Sequence, residues 1–189
     1  MRNKIILALA VVFAALVKCT DMSAQKASLS TNIVGYANFL TMNLEASCPV
    51  ARHWNLYAGT KYNPFTFNLG KGKESARNRQ QAYYAGVRYW PWNVYSGWWV
   101  AGKLQYQEYS SGGIFSRRTR EGDRAGLALG GGYAYMIGKH FNIEFGAMLW
   151  SGVDFFTSYS CPVCGSIESS GRKVFVLPSD IIVALSYIF

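Results

Sequence analysis

Residues 174–189, VFVLPSDIIVALSYIF, decide the fold of this chain. Counting back from the last residue, every second position is large and apolar: Phe189, Tyr187, Leu185, Val183 and Ile181. The positions between them, Ile188, Ser186, Ala184, Ile182 and Asp180, become smaller and more polar toward the start. A period of two belongs to a β-strand, because successive Cβ atoms leave opposite faces of the pleat. Two kinds of fold accept such a strand. A soluble sandwich would bury it, whereas a closed barrel would turn its apolar face outward to lipid.

The same alternation recurs upstream. Residues 141–156 set Phe141, Ile143, Phe145, Ala147 and Leu149 against Asn142, Glu144, Gly146 and Met148. Residues 126–137, GLALGGGYAYMI, set Leu127, Leu129, Tyr133, Tyr135 and Ile137 against Gly126, Ala128, Gly130, Gly132 and Ala134. Positions that small suit the inner face of a narrow closed barrel, where bulky neighbours fill the interior. Further alternating stretches at 31–38, 40–50, 54–65, 80–90 and 98–109 complete eight strands. The expected fold is therefore all-β, an eight-stranded antiparallel up-and-down barrel of the outer-membrane type. Turns at 51–53, 91–95 and 138–140 are short, and the polar stretches 68–79, 110–123 and 157–173 read as long loops. Short turns on one side and long loops on the other orient such barrels, with the loops outside the cell. The ending Tyr187-x-Phe189 matches the aromatic signal that barrel-assembly machinery reads on a closing strand.

The amino terminus supports export. Met1-Arg2-Asn3-Lys4 precedes an apolar run over 5–17, too short for the roughly 20 residues a membrane helix needs. This reads as a signal peptide, residues 1–24, cut after Ala24. Residues 25–189 then form one barrel domain, for which no helical span is expected and whose address is the outer membrane of a Gram-negative bacterium.

The chain holds 19 Lys and Arg against 10 Asp and Glu, a formal charge of +9. Such an excess raises nucleic acid as a partner, but an exported protein does not meet it. The basic residues instead cluster in loops, as Lys71, Lys73, Arg77 and Arg79, and as Arg117, Arg118, Arg120 and Arg124. They read as contacts to the heads of outer-membrane lipid and lipopolysaccharide. On the inward faces stand Glu45, Lys61, Arg88, Lys103, Glu144, Asp154 and Asp180. An unpaired buried charge is costly, so these are expected to neutralise one another in the lumen. Tyr57, Tyr84, Trp90, Trp99 and Met148 would fill the remaining space, and Tyr83, Tyr89, Trp98, Tyr133, Tyr135 and Tyr187 would form interfacial girdles.

Cys161-Pro162-Val163-Cys164 can close a local disulfide in an oxidising compartment, leaving Cys48 as a lone thiol. Zinc would need a second ligand pair, which is not near in sequence. The two histidines, His53 and His140, both fall in short turns on the side away from the loops. A Ser-His arrangement at the outer rim cannot be assembled from them, so neither an activity nor a cofactor is expected.

Taken in order, Thr31-Asn32, Trp54, Tyr62-Asn63-Pro64-Phe65, Arg88-Tyr89-Trp90, Gly132-Tyr133-Ala134-Tyr135, the run 138–144 (GKHFNIE), Cys161-x-x-Cys164-Gly165 and the ending Ser186-Tyr187-Ile188-Phe189 resemble the DUF3575 family of Bacteroidetes outer-membrane proteins. The resemblance spans nearly all of the exported chain. Gly86 stands where the family pattern places a glutamate, and Leu177-Pro178-Ser179-Asp180 replaces its Gly-Pro-Thr-Lys. The family brings no established activity. The expected role is a structural or interaction component of the cell envelope, with another envelope protein as a further partner. A narrow transport or sensing barrel is the alternative, and a lipid-modifying enzyme a more distant one.

Overall fold

The computed structural model of the chain describes residues 27–68, 75–112, 119–159 and 167–189. The expected signal segment 1–24, Lys71, Lys73, Arg117, Arg118 and the Cys161/Cys164 pair therefore lie outside the described residues.

The elements run β1 (Ser28–Asn32), α1 (Ile33–Ala37), β2 (Met42–Ala51), β3 (Trp54–Asn63), β4 (Thr66–Asn68), β5 (Ser75–Tyr89), β6 (Gly97–Gly112), β7 (Thr119–Ile137), β8 (Phe141–Tyr159) and β9 (Ile167–Ile188). The sheet order is β3-β2-β1-β9-β8-β7-β6-β5-β4, and β3 also pairs with β5. β3 and β4 lie end to end on that strand, Asn63 opposite Gln80 and Thr66 opposite Arg77. Pro64 between them has no N–H to donate, so one strand is interrupted there. Counted as one, β3 and β4 leave a ring-like sheet of eight antiparallel strands. The ends of the chain close it: Leu29 faces Tyr187, and Phe189 N donates to Ala27 O at 2.9 Å.

Each strand presents the faces its alternation implies. On β6, Trp99, Ala101, Lys103, Gln105, Gln107 and Tyr109 are buried, while Trp98, Val100, Leu104 and Tyr106 are exposed. On β8, Asn142, Glu144, Met148 and Trp150 point inward, and Phe141, Phe145 and Leu149 outward. The usual partition is inverted, since charge and amide groups occupy the interior and large apolar side chains cover the outside.

Four expectations need correction. The first strand is not 31–38. β1 ends at Asn32, whose side chain accepts the Val34 N–H at 3.2 Å and caps α1, the local competition with strand pairing that Asn offers. Phe39 and Leu40 then take positive φ, 52° and 57°, to turn the chain into β2.

The long loops at 68–79, 110–123 and 157–173 are in large part strand. β6 continues to Gly112 and β7 begins at Thr119, while β8 runs to Tyr159 and β9 begins at Ile167. These extensions carry polar residues on both faces, so the apolar alternation that marks a strand below them is lost.

β9 also breaks its own period. Its register with β8 slips between Met148↔Asp180 and Leu149↔Pro178, leaving Ser179 as the extra residue of a bulge. Above the bulge the inward parity changes from even to odd, so Phe175 is buried and Lys173 reaches the interior ion pairs.

The fourth concerns Cys48, which is not a lone thiol. It is disulfide-bonded, to a partner outside the described residues. Sequence spacing favoured the nearest cysteine pair, whereas only the folded path decides which sulfurs come within reach.

Candidate functional site in the interior

The inward charges gather into three clusters stacked along the ring. Nearest the short turns, Arg88 donates from Nη1 to Glu144 Oε2 and from Nη2 to Glu45 Oε1, both at 2.9 Å. Its guanidinium lies 4.7 Å from the Tyr57 ring centre and 4.6 Å from that of Trp99. Tyr84 Oη donates to Glu45 at 3.1 Å and Ser186 Oγ to Glu144 at 3.1 Å. In the middle, Asp180 accepts from both Lys61 and Lys103. The Lys103 ammonium also sits 4.2 Å from the Tyr84 ring centre, a cation–π contact. Nearest the hairpin tips, buried Asp154 accepts from Tyr109 Oη at 2.8 Å and faces Arg124 Nε at 3.4 Å and Lys173 Nζ at 3.7 Å.

All seven residues expected in the interior network thus lie in it. The lowest cluster carries one excess negative charge, and the two above it one excess positive charge each. Arg124 was expected against lipid heads, but it belongs to the interior and its guanidinium lies 3.9 Å from the Tyr109 ring centre. Arg120, on the same face of β7, lies 5.1 Å from the Phe156 ring centre. Arg79 is exposed, and Arg77 is described by its backbone pairing with Thr66 and Gly112.

Below Arg88 the interior is sealed. Trp90, Tyr95 and Trp99 are at most 1% exposed. Tyr95 comes from the connection between β5 and β6, which folds back under the ring with a positive φ of 71°. Its hydroxyl meets Ser47 Oγ at 3.0 Å, and its carbonyl accepts from Asn142 Nδ2 at 2.8 Å. A non-glycine residue held in that backbone region implies that its surroundings over-determine it. Burial pushes the Tyr95 phenol above its ordinary pKa, an effect its hydrogen bond to Ser47 opposes. Trp90 Nε1 donates to Asn55 Oδ1 at 3.3 Å, tying the plug to β3.

Glycine makes room for the largest ring of the plug. Trp99 lies across Gly132 and Gly146, neighbours on β7 and β8. A Cβ on Gly132 would stand 2.6 Å from Trp99 Cζ2, and one on Gly146 2.8 Å from the same atom. Gly132, the last residue of the run Gly130-Gly131-Gly132, therefore allows close packing of an indole.

Above the middle cluster the interior is not filled. A cavity of about 260 Å³ is bounded by Lys61, Asp180, Arg124 and the amides of Gln80, Gln105 and Gln107. A wider opening of about 940 Å³ lies between the hairpin extensions, and Gln80 lines both.

His53 and His140 hold turn geometry: their Nδ1 atoms lie 2.9 Å from the carbonyls of Trp90 and Ile188 respectively. No group of three or more His, Cys, Asp or Glu side chains suited to a metal occurs among the described residues. Tyr95, Arg124 and Lys173 went unrecognised as interior residues in the sequence. The one available signal was Pro178, which marks a bulge and hence the parity change that brings Lys173 inward.

Asp180→Asn should destabilise the fold by about 3 kcal/mol, because it leaves the Lys61 and Lys103 ammonium groups facing each other without their anion. Chemical denaturation in detergent micelles measures this, and an unchanged midpoint would refute the bridging role of Asp180.

Compared with known proteins, residues 10–189 match a family described as "Protein of unknown function (DUF3575)". No curated protein and no solved structure matches.

Proposed function

The chain belongs to the DUF3575 family, and we propose that it is a small outer-membrane β-barrel serving as a structural or interaction component of a Gram-negative cell envelope, not as a channel. The plug below Arg88 is the observation that carries this reading. A solute crossing the ring would have to pass Trp90, Tyr95 and Trp99, which are closed to solvent, and an arginine held by two carboxylates.

The outer surface supports a membrane address. Trp54, Tyr89, Trp98, Tyr133, Phe141, Tyr187 and Phe189 are all exposed near the short turns. Tyr62 and Tyr106 are exposed farther up, with Leu, Val and Phe between the two groups. Along β6 the path from Trp98 to Tyr106 rises about 26 Å, or about 20 Å once a strand tilt of roughly 40° is allowed for. An apolar band of about 25 Å between aromatic girdles is the outer-membrane pattern. The hairpin extensions then stand outside the cell, and Arg79 is placed to meet lipopolysaccharide phosphates. Tyr187 and Phe189 pack edge to face at 5.0 Å on the outer face beside the β1–β9 seam, where assembly machinery would read them. An envelope protein engaging the hairpin tips is the partner this geometry favours, and no catalytic step enters the reading.

Reconstitution into planar bilayers tests it. The purified chain should insert, remain folded on unboiled gels and pass no steady current. A reproducible unitary conductance would replace this reading with the narrow transport barrel, and failure to insert would remove the membrane address.

A further inference from the structure

The 260 Å³ cavity above the Lys61–Asp180–Lys103 cluster differs in kind from the packed interior below it. Gln105 and Gln107 are only 5% and 9% exposed, so their amides should be fully bonded. Each is bonded at one end. Gln105 Oε1 accepts from Ser179 Oγ at 3.2 Å, and Gln107 Nε2 donates to Gln80 Oε1 at 2.7 Å. Gln105 Nε2 and Gln107 Oε1 have no partner among the described residues, and both side chains line the cavity. Arg124 adds a cationic group to the wall. Its Nε lies 3.4 Å from Asp154 Oδ2, and its side chain lines the cavity.

The chemistry required of an occupant follows from these groups. The cavity lies between the two clusters that carry excess positive charge, which favours an anion. The terminal nitrogens of Arg124 form a planar fork suited to a carboxylate. A free amide donor and a free amide acceptor suit hydroxyl groups, which both give and take hydrogen bonds. The volume falls just below the roughly 300 Å³ at which small-molecule sites begin, so one small solute fits and a polymer chain does not.

On one side the cavity is walled by a seam between strands. β1 meets β9 only as far as Asn32↔Ala184, and above that point α1 takes the place of a strand in the wall. Asn32 bridges the gap, donating from Nδ2 to Ile181 O at 2.9 Å and accepting from Val183 N at 3.1 Å. Val34 and Gly35 line the cavity on one side of this seam, Pro178 and Ser179 on the other.

We infer that this chamber is a binding site for a small hydroxylated carboxylate of the sugar-acid class, which enters through the hairpin mouth and is stopped below by the plug. Its carboxylate meets Arg124, and its hydroxyls meet Gln105 and Gln107.

Glucuronate titrated calorimetrically into the detergent-solubilised full chain tests this, with glucose and acetate as comparison probes. Saturable glucuronate binding is expected, with glucose at least about tenfold weaker for want of the charge and acetate for want of the hydroxyls. Gln105→Leu should weaken glucuronate by about tenfold and leave the thermal midpoint near that of the parent, because its amide nitrogen supports no other group and Ser179 Oγ, from which its Oε1 accepts, keeps Asp180 Oδ2 at 3.0 Å. Arg124→Gln should reduce glucuronate to the level of glucose. Absence of saturable binding into the millimolar range would overturn the site, as would equal affinity for glucose and glucuronate or an unchanged affinity in Gln105→Leu. The measurement needs neither a bilayer nor a closed pore, so its failure is distinct from that of the proposed envelope role.

Discussion

Arg88→Met is expected to abolish the folded, heat-resistant form on unboiled gels, with a loss of about 3–5 kcal/mol. Methionine keeps much of the side-chain length and polarisable bulk between Tyr57 and Trp99, so packing changes little. What changes is electrostatic. Glu45 and Glu144 lose their shared cation, and Glu144, whose side chain is 4% exposed, is left ionised in a place water does not enter. Removing one member of a buried ion group costs far more than removing the group as a whole, because the remaining charges keep their desolvation penalty without the compensating attraction. Arg88→Met/Glu45→Gln/Glu144→Gln should therefore recover most of the lost stability. A single variant as stable as the parent, or a triple variant less stable than the single, would show that the cluster does not hold the interior together.

The second large effect lies at Trp99. Trp99→Ala should cost about 3–5 kcal/mol, the usual range for emptying an aromatic site that cannot collapse. Collapse is blocked here because the ring wall is set by backbone pairing and cannot move inward without breaking it. Gly146→Val should be destabilising for the opposite reason, since its first side-chain carbon would stand 2.8 Å from Trp99 Cζ2 and 2.8 Å from Gly131 O. The two changes share one volume and should not add. In Trp99→Ala/Gly146→Val the valine occupies part of the space the indole vacated, and a coupling of at least about 1 kcal/mol is expected. Strict additivity in denaturation midpoints would mean that Gly146 is small for a reason other than the indole.

The reading from sequence succeeded where one physical constraint acts on alternate residues. From Trp98 to Tyr109, and from Phe141 to Met148, outside and inside demand opposite chemistry, and the faces assigned from the alternation match the observed burial. The same logic brought Glu45, Lys61, Arg88, Lys103, Glu144, Asp154 and Asp180 together without any knowledge of partners, because a charge on an inward position has nowhere else to be satisfied. Above the apolar band that logic lapses. Residues 119–124 and 167–173 are strand with polar side chains on both faces, so nothing in their pattern separates them from loop, and Arg124 was taken for a surface cation.

By itself, then, the sequence determined an all-β chain, the inside and outside of its principal strands, and the need for its interior charges to pair, since each of these is written residue by residue in a period of two. Tertiary structure alone decided which charge meets which, because Arg88 lies between carboxylates from β2 and β8, and Asp180 between lysines from β3 and β6. The same holds for the fold-back of Tyr95 that seals one end, the bulge at Ser179 that turns Lys173 inward, and the cavity left where α1 replaces strand. Each of these depends on strand register and on closure of the ring, which place residues together across long stretches of chain and leave no local periodicity to read.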